Sequence, residues 1–535
     1  MKISARIAEL EHQVCTCVDL IKQAVIQHDA PAFLVLILAC ALQPLTAAHA
    51  AVLRNTIVVA ISGDPSPDKT GSISIPLRPV MQETIKPVFV SDIREEGLLQ
   101  GSGIFRAGTN PGSLELLVRS GQAMPDANGN FHAINDPDIQ VNNLNSIAFY
   151  NLIDDSLGGS IDNQAIFFTD GSENGLKIVV RENQLNQTAT ASYRTIPTLI
   201  TLNDAAQISF RSTLDNLLQG IFRANTATDD ITQIAIEEQA VPEGSGSFRS
   251  FKSQQSMNES GQVAFHADVT IDTVKLSAIY LGDGTSNIEI IRKGEATPSG
   301  DGKYLLQPTV YVPVNDNGQV AFFSTLSETT GGLADNEVIT LSDGMNTTEI
   351  VRKSEFTPGD NGRYAELDRR IEINNTGQVA FTSMIIGASD GATKGIFLGS
   401  DSGIIQIARI NQAAPGSGLF SDFKRGISLN DNGEVLFYAE IDLENGGSTN
   451  DSQGLFISDG TQIISIAQVG DVIPGTGTIT QIRADDDLLS VGGESSPLNE
   501  RGEVTYRFTS GGDIGIAVWI PPLFADGFEG LPGEN

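Results

Sequence analysis

Cysteine, tryptophan and histidine are scarce in this chain of 535 residues. It has three cysteines, all within the first 40 residues, one tryptophan and five histidines. Beyond residue 50 there is no thiol for a disulfide or a cysteine metal site, so packing alone must stabilise the fold. Only His132 and His266 remain there, and neither lies in a metal-ligand or Ser-His-Asp pattern. The scarcity of tryptophan also disfavours sugar-stacking platforms.

Basic residues are also few. The chain has 33 Lys and Arg against 66 Asp and Glu, a net charge of −33. This charge excludes nucleic acid as the expected partner and disfavours anionic membrane surfaces. The densest acidic cluster, residues 485–487, lacks the alternating pattern of a calcium loop, and we interpret it as a solvated turn. No cofactor is predicted, and calcium is the one metal left open.

The first fifty residues differ from the rest. An apolar run at residues 30–42 is followed by Pro44 and by an A-x-A site ending at Ala50, the layout of a secretory signal peptide at residues 1–50. The long stretch before the run leaves an over-extended start open, and the alternative is an uncleaved amphipathic helix followed by a buried apolar one. We expect a secreted or cell-surface protein, with the periplasm or outer-membrane surface as further destinations, and no membrane span in the mature chain.

A motif with the fullest form N-x-x-G-x-V-A-F recurs through the remaining sequence, at spacings of 55 to 69 residues. Its Asn and Gly are predicted to build a turn before a strand. These turn residues are Asn142, Asn203, Asn258, Gly261, Asn315, Gly318, Asn374, Gly377, Asn430, Gly433, Asn499 and Gly502. A degraded copy ends at Phe89. A period near sixty is that of a supersecondary unit, because linear arrays repeat every ~20–50 residues.

Each unit carries four strand-like runs, which we label A to D from the motif onward. Asp-Gly pairs such as Asp343-Gly344 separate B from C, a strong hairpin signal. Strand A is large on one face and mostly small on the other, as expected for a sheet packed on both sides. The pattern predicts an all-β fold, a β-propeller of four-stranded antiparallel blades. A parallel β-helix lacks such hairpins, and separate sixty-residue domains without disulfides would be marginal.

The chain ends predict the number of blades. Seven complete units and one shared unit give eight blades, with seven as the alternative. The last unit supplies strands A and B and stops at Pro521, and its C and D are predicted at residues 55–67 and 72–80. Strands from both termini would then close one propeller at residues 51–522 and remove its free edges. Residues 523–535, with a D-G-F-E motif, are predicted to be a disordered acidic tail.

The repeated motif resembles that of a group of bacterial exported proteins named for tandem NxxGxxAF repeats, whose members carry different C-terminal anchors. The resemblance covers residues 89–506. It implies export and a repeat architecture, but no activity. The D-G-F-E tail is similar to a short ending of some exported proteobacterial proteins, and an anchoring or sorting role for it stays open.

The position after the repeat Phe varies between units and gives the only candidate site. If strand A lines the central channel, these residues form a mixed polar and aromatic ligand ring. The ring consists of Tyr150, Arg211, His266, Phe323, Thr382, Tyr438 and Arg507. The alternative is that they pack against the next blade. We expect an exported, non-catalytic, monomeric module that binds a protein or polysaccharide or serves a structural role. The alternative function is an extracellular glycoside hydrolase or lyase.

Overall fold

The computed structural model describes most of the chain beyond residue 54. The described ranges are 55–83, 86–108, 113–134, 139–172, 174–187, 189–196, 198–242, 245–252, 254–306, 311–416, 418–443, 452–483 and 496–522. The predicted signal peptide, acidic tail and cluster at residues 485–487 lie outside them. The described residues form eight antiparallel sheets, the blades of a β-propeller. The prediction of eight blades is confirmed, and seven is excluded.

The strands follow one another blade by blade. Strand β1 spans Thr56–Ile61. Blade 1 contains β2 (Ser72–Ile73), β3 (Leu77–Val80), β4 (Val88–Glu95), β5 (Leu98–Ala107) and β6 (Leu114–Arg119). Blade 2 contains β7 (Asn130–Phe131), β8 (Ile139–Val141), β9 (Ile147–Asp154), β10 (Gln164–Thr169) and β11 (Lys177–Arg181). Blade 3 contains β12 (Tyr193–Thr195), β13 (Ile200–Leu202), β14 (Gln207–Leu214), β15 (Gln219–Asn225) and β16 (Asp230–Ile236). Blade 4 contains β17 (Gly246–Phe251), β18 (Ser256–Met257), β19 (Val263–Ile271), β20 (Val274–Gly282) and β21 (Asn287–Arg292).

The second half of the ring follows the same plan. Blade 5 contains β22 (Lys303–Tyr304), β23 (Val320–Ser327), β24 (Glu337–Ser342) and β25 (Thr347–Arg352). Blade 6 contains β26 (Arg363–Ile373), β27 (Val379–Ile386), β28 (Lys394–Ser400) and β29 (Gly403–Arg409). Blade 7 contains β30 (Leu419–Leu429), β31 (Val435–Asp442), β32 (Ser452–Ser458) and β33 (Ile463–Gln468). Blade 8 contains β34 (Val472–Ile473), β35 (Gly477–Arg483), β36 (Val504–Ser510), β37 (Asp513–Trp519) and β1. Single 3₁₀ turns occur at Gly159–Ile161, Gly332–Ala334 and Pro358–Asp360.

Every blade has the strand order D, A, B, C. In blade 6 this order is β26, β27, β28 and β29. The D strands of neighbouring blades contact one another, as β8 does with β3 and with β13. Strand D is therefore innermost and strand A is second.

Blade 8 closes the ring with strands from both ends of the described chain. Strand β1 pairs with β37, so the predicted C strand from the N-terminal side is confirmed. The D strand, however, was predicted wrongly. It is β34 and β35 that precede β36, whereas residues 72–80 pair with β4 in blade 1. The reason is that the chain crosses to the next blade after every C strand, and β1 is no exception.

Apolar side chains fill the spaces between the blades. The repeat Phe faces the preceding blade, as Phe381 does by stacking on Phe397 with ring centroids 5.5 Å apart and packing against Ile339 of blade 5. The adjacent Ala380 faces blade 7. Both surfaces of the sheet are thereby removed from water, as the alternation of large and small residues predicts. Among the described residues, none belongs to a helix that has the length and apolar character needed to cross a membrane.

Candidate functional site

The Asn of each motif lies at the turn between strands D and A. In blade 5, Asn315 Oδ1 accepts hydrogen bonds from the backbone N–H groups of Asn317 at 3.1 Å and Gln319 at 2.9 Å. Gly318 has a φ of 73°, a left-handed conformation that a residue with a Cβ adopts only with strain. Asn and Gly therefore carry out the turn-building roles that their chemistry favours.

The same Asn side chains also link the blades. Each Nδ2 donates to the backbone carbonyl of the equivalent residue in the next blade, for example Asn315 to Asn374 at 3.0 Å. We call this series the asparagine belt. Its members are Asn142, Asn203, Asn258, Asn315, Asn374, Asn430 and Asn499. Asn499 donates to Gln82, and Gln82 donates to Val141, which completes the circle. The belt residues are buried, and their accepting carbonyls also take a backbone N–H of their own turn, as Asn374 does from Gly377 at 3.0 Å. The belt bond therefore ties one turn to the next in a buried position.

The residue after each belt Asn, together with the residue after Gln82, forms a second ring, which we call the acidic collar. Its members are Glu83, Asn143, Asp204, Glu259, Asp316, Asn375, Asp431 and Glu500. Each backbone N–H donates to the side-chain oxygen of the next member, at 2.7 Å from Asp431 to Glu500. Burial, followed by the charges of Asp431, Glu83 and Glu434, raises the pKa of Glu500 to about 7.

The acidic collar concentrates six carboxylates, but they do not converge on one point. Within the described ranges, no group of three or more acidic, His or Cys side chains has an arrangement that could hold a metal ion. Calcium binding therefore stays a hypothesis. The collar serves as a second circle of inter-blade hydrogen bonds, and six of its eight bonds have a carboxyl oxygen as acceptor, which strengthens them where the group is ionised.

The residues predicted to form a channel ring lie elsewhere. Because strand D is innermost, the condition for that ring is not met, and the side chains after the repeat Phe point towards the next blade. Arg211 Nη1 donates to the carbonyls of Phe251 and Lys252, each at 3.1 Å. Tyr438 donates its hydroxyl to the carbonyl of Ile482 at 3.2 Å.

The other predicted ring residues occupy similar positions between blades. Phe323 is buried beneath the Arg369 guanidinium, 5.4 Å from the ring centroid, and Tyr150 packs partly buried on blade 3. His266 and Arg507 are buried, and Thr382 is half-buried opposite a bulge of its own D strand. Arg211, Phe323 and Tyr438 thus contact the inner strand of the next blade, as the packing alternative expects.

A cavity of about 310 Å³ lies on blade 4 and was not predicted. Its lining residues are Arg249, Ser250, Asp268, Val269, Lys275, Leu276, Ser277 and Lys293. Three of these side chains are cationic and exposed, in a chain with twice as many acids as bases. The sequence did not reveal this cluster, because its three basic residues lie far apart in the chain. Aligning the strand positions of the repeats could have shown that they are neighbours in the sheet.

The Asp268 carboxylate of this cavity is already engaged. It accepts hydrogen bonds from Ser277 at 2.9 Å and Ser250 at 3.2 Å, and it lies 2.9 Å from Lys252 Nζ. Burial opposes ionisation, but the hydrogen bonds from Lys252 and Ser277 outweigh it and keep the pKa of Asp268 below its ordinary value. Lys252 neutralises Asp268, so the cavity keeps the positive charge of its other three bases.

His266 lies on the same strand face as Asp268, two residues earlier, and is 1 % exposed. Neither ring nitrogen has a hydrogen-bond partner among the described residues. Burial, only partly offset by the charge of Asp268, lowers the pKa of His266 to about 4, so the ring is neutral at neutral pH. A neutral imidazole retains one donor and one acceptor.

Closure by strands from both ends and the two circles of inter-blade bonds define a closed eight-bladed β-propeller. The chain belongs to DUF7453, a family of unknown function, whose model matches residues 47–226 and 215–483. No curated protein sequence matches the chain significantly.

Solved structures match the chain at low identity. The β-propeller domain of the Trilobed protease from Pyrococcus furiosus is 11% identical, with a TM-score of 0.38 over 74% of this chain and 96% of that one. The polysaccharide lyase Uly1 is 10% identical, with a TM-score of 0.35 over 78% and 100%. An α-L-arabinanase from Penicillium chrysogenum is 12% identical, with a TM-score of 0.26 over 62% and 98%.

Proposed function

We propose that this protein is an exported, non-catalytic, monomeric binding module of the bacterial surface or exterior. The observation that supports the proposal is that the motif residues have structural roles. Their side chains build turns, fill the spaces between blades and complete the asparagine belt. The repeat thus constructs a rigid ring, and recognition falls to residues that depart from the repeat, such as those of the blade 4 cavity.

A binding role fits the chemistry of that cavity better than catalysis does. Its carboxylate is held ionised by Lys252 and two serine hydroxyls, which favours fixing a charge over transferring a proton. Glycosidases of the usual kind need a second carboxyl group on the other side of the scissile bond. Among the described residues that line the cavity, Asp268 is the only one with a carboxyl group.

Two features of the sequence support export. Residues 1–50 have the pattern of a secretory signal, and the motif resembles that of the exported NxxGxxAF group. We therefore propose that the chain is a member of that group and that it is located at the bacterial surface or outside the cell. We also propose that its partner is a protein or a polysaccharide.

Cell fractionation and a binding screen together test the proposal. Antibodies against the propeller should detect the chain outside the cytoplasm, with a mature N-terminus near Ala51. The purified protein should retain a protein or polysaccharide from surface extracts and leave a panel of polysaccharides uncut. A cytoplasmic chain with an intact N-terminus would contradict export. Release of reducing ends or unsaturated sugars would favour the hydrolase or lyase alternative.

A further inference from the structure

The polar residues of the blade 4 cavity form one row across the sheet. Ser250 on β17 pairs with Asp268 on β19, and Asp268 pairs with Ser277 on β20. The row ends at Lys293, whose backbone N–H donates to the Ser277 carbonyl at 2.9 Å. Arg249 is adjacent to Ser250, and Lys275 lies two residues before Ser277. Sheet pairing thereby collects residues that are 44 positions apart in the sequence at one cavity.

The three cations of the cavity have no side-chain partner in the part of the chain that the structure describes. Neither Arg249, Lys275 nor Lys293 forms an ion pair or hydrogen bond through its side chain with any described residue. Elsewhere most described bases lie against a carboxylate, as Arg106, Arg181, Arg352 and Arg409 do. With acids in such excess, three adjacent unpaired bases mark the cavity as a local centre of positive potential.

This arrangement occurs in one blade and is not part of the repeat. Arg249 follows a buried aromatic residue of strand D, and the equivalent positions in the other blades are Ser74, His132, Arg194, Leu305, Ala365, Ser421 and Thr480. The position of Lys293 is taken in blade 5 by Lys353, which lies 3.2 Å from Glu337. Blade 4 alone combines these bases without acidic partners among the described residues.

We propose that the blade 4 cavity binds the oxyanion group of a small ligand, a sulfate, a phosphate or the carboxylate of a sugar acid. The Arg249 guanidinium suits two oxygens of such a group, and Lys275 and Lys293 supply further charge-assisted donors. The Ser250 and Ser277 hydroxyls already donate to Asp268, so the ligand interacts with the cations. This inference rests on the proposed binding function and specifies its ligand class.

Size and net charge favour a small ligand over a polyanionic chain. A volume near 310 Å³ is at the lower end of ordinary ligand pockets and accommodates a single sugar unit or ion. The molecule as a whole carries a charge of −33 and repels a long polyanion. The cavity field acts only within a Debye length, ~8 Å at physiological salt, which is enough for one anionic group.

Calorimetric titration of the full chain with sodium sulfate, phosphate and glucuronate, with glucose as a neutral control, tests this site. At low ionic strength at least one anion should bind saturably, and glucose should not. Arg249→Gln, or Lys275→Gln combined with Lys293→Gln, should weaken binding by at least about tenfold. Arg194→Gln is the matched control, because Arg194 is exposed and takes the same strand position in blade 3. It should leave affinity unchanged.

Several outcomes would overturn the site. These are no saturable binding of any anion up to about 50 mM at low salt, equal weakening by Arg194→Gln, or unchanged affinity in the cavity variants. All substituted side chains are exposed, so an unchanged melting temperature should show that the variants remain folded. The site and the wider function fail separately. A cytoplasmic or polysaccharide-cleaving protein that still binds sulfate through Arg249 would refute the function and keep the site.

Discussion

Asn315 shows how one side chain can serve both local and long-range structure. Its Oδ1 fixes the turn of blade 5, while its Nδ2 reaches the Asn374 carbonyl of blade 6. The two halves of the amide thus act on different hydrogen bonds, and no other side chain of similar size offers an acceptor and a donor in this geometry. The conservation of Asn across seven repeats of this chain follows from the combination.

Replacing a belt residue should therefore be costly. We expect Asn315→Ala to destabilise the protein by about 2–4 kcal/mol, because it leaves the N–H groups of Asn317 and Gln319 without their acceptor and removes the buried bond to the Asn374 carbonyl. Urea unfolding of the variant measures this loss. Asn346→Ala is a suitable control, since Asn346 lies in an exposed hairpin and should change stability by less than about 0.5 kcal/mol. Equal effects of the two substitutions would show that the belt bond is not stabilising.

Glu500 should make stability depend on pH. Folding raises its pKa to about 7, above the unfolded value near 4.5, so the folded protein binds more protons within this window. This carboxyl therefore lowers folding stability progressively as the pH rises from about 4.5 to 7. Glu500→Gln keeps an acceptor for the Asp431 N–H. Relative to wild type, it should gain about 0.5–1 kcal/mol between pH 5 and pH 8, after allowance for solvent screening.

Denaturant unfolding of wild type and Glu500→Gln at both pH values measures this difference. Asp401→Asn provides a control, because Asp401 is exposed in a turn of blade 6. A stability difference between wild type and Glu500→Gln that does not change with pH would contradict the assigned titration.

Arginines at the ends of C strands tie neighbouring loops together. In blade 5, Arg352 Nε donates to the Asp335 carbonyl at 3.0 Å, and Nη2 donates to the Asp301 carbonyl at 2.5 Å. The side chain is only 8 % exposed. Arg181 makes equivalent contacts to the Asp162 and Asn128 carbonyls in blade 2. These contacts fix the connection between C and D strands against the loop between A and B.

Removal of such an arginine should destabilise more than removal of a surface ion pair. We expect Arg352→Met to cost about 2–4 kcal/mol, because the loop carbonyls of Asp301 and Asp335 and the nearby carboxylates lose a buried donor. Lys303→Met, which breaks the exposed pair with Glu328, should cost less than about 1 kcal/mol. Denaturation midpoints and proteolytic cleavage in the loops of blade 5 would reveal the difference. Comparable costs for both variants would argue against the loop-tying role.

Strands A, B and C, their turns and their buried faces follow from the sequence, because alternation and Asp-Gly signals are local. The partner of strand D does not follow from them. Alternation determines which face of a strand is buried but not which sheet accepts it, and the segment at residues 72–80 was therefore assigned to the wrong blade. For the same reason, Arg211 and Tyr438 were predicted to line the central channel, whereas strand D is the strand that faces it.

The candidate site was less accessible to sequence reasoning. Arg249, Lys275 and Lys293 are ordinary exposed strand residues, and only the register of blade 4 brings them together. His266 stood out in the sequence, yet its neighbours across the sheet could not be inferred. Repeats predict the scaffold well because their residues have equivalent environments, whereas a site arises where one copy differs.

At the scale of the whole molecule, ring closure depends on β1. This strand covers the edge of β37 through pairing from Thr56 with Trp519 to Ile61 with Gly515. We expect a chain lacking residues 1–61 to expose that edge and to dimerise or aggregate. A chain lacking only residues 1–54 should stay soluble and folded. Light scattering and circular dichroism compare the two, and a monomeric, fully stable product of the longer deletion would contradict this role of β1.

Each sequence repeat begins at strand A of one blade and ends with strand D of the next, so repeats and blades are offset by one strand. This offset has a consequence for how the gene can change. A gene segment that encodes one repeat, cut at its motif, specifies three strands of one blade and the inner strand of its neighbour. A duplicated segment would therefore enter the circle already interwoven with the copies on either side, whereas a lost segment would leave no orphan strand. Gene duplication and deletion can change the number of blades in such a ring while preserving its closure.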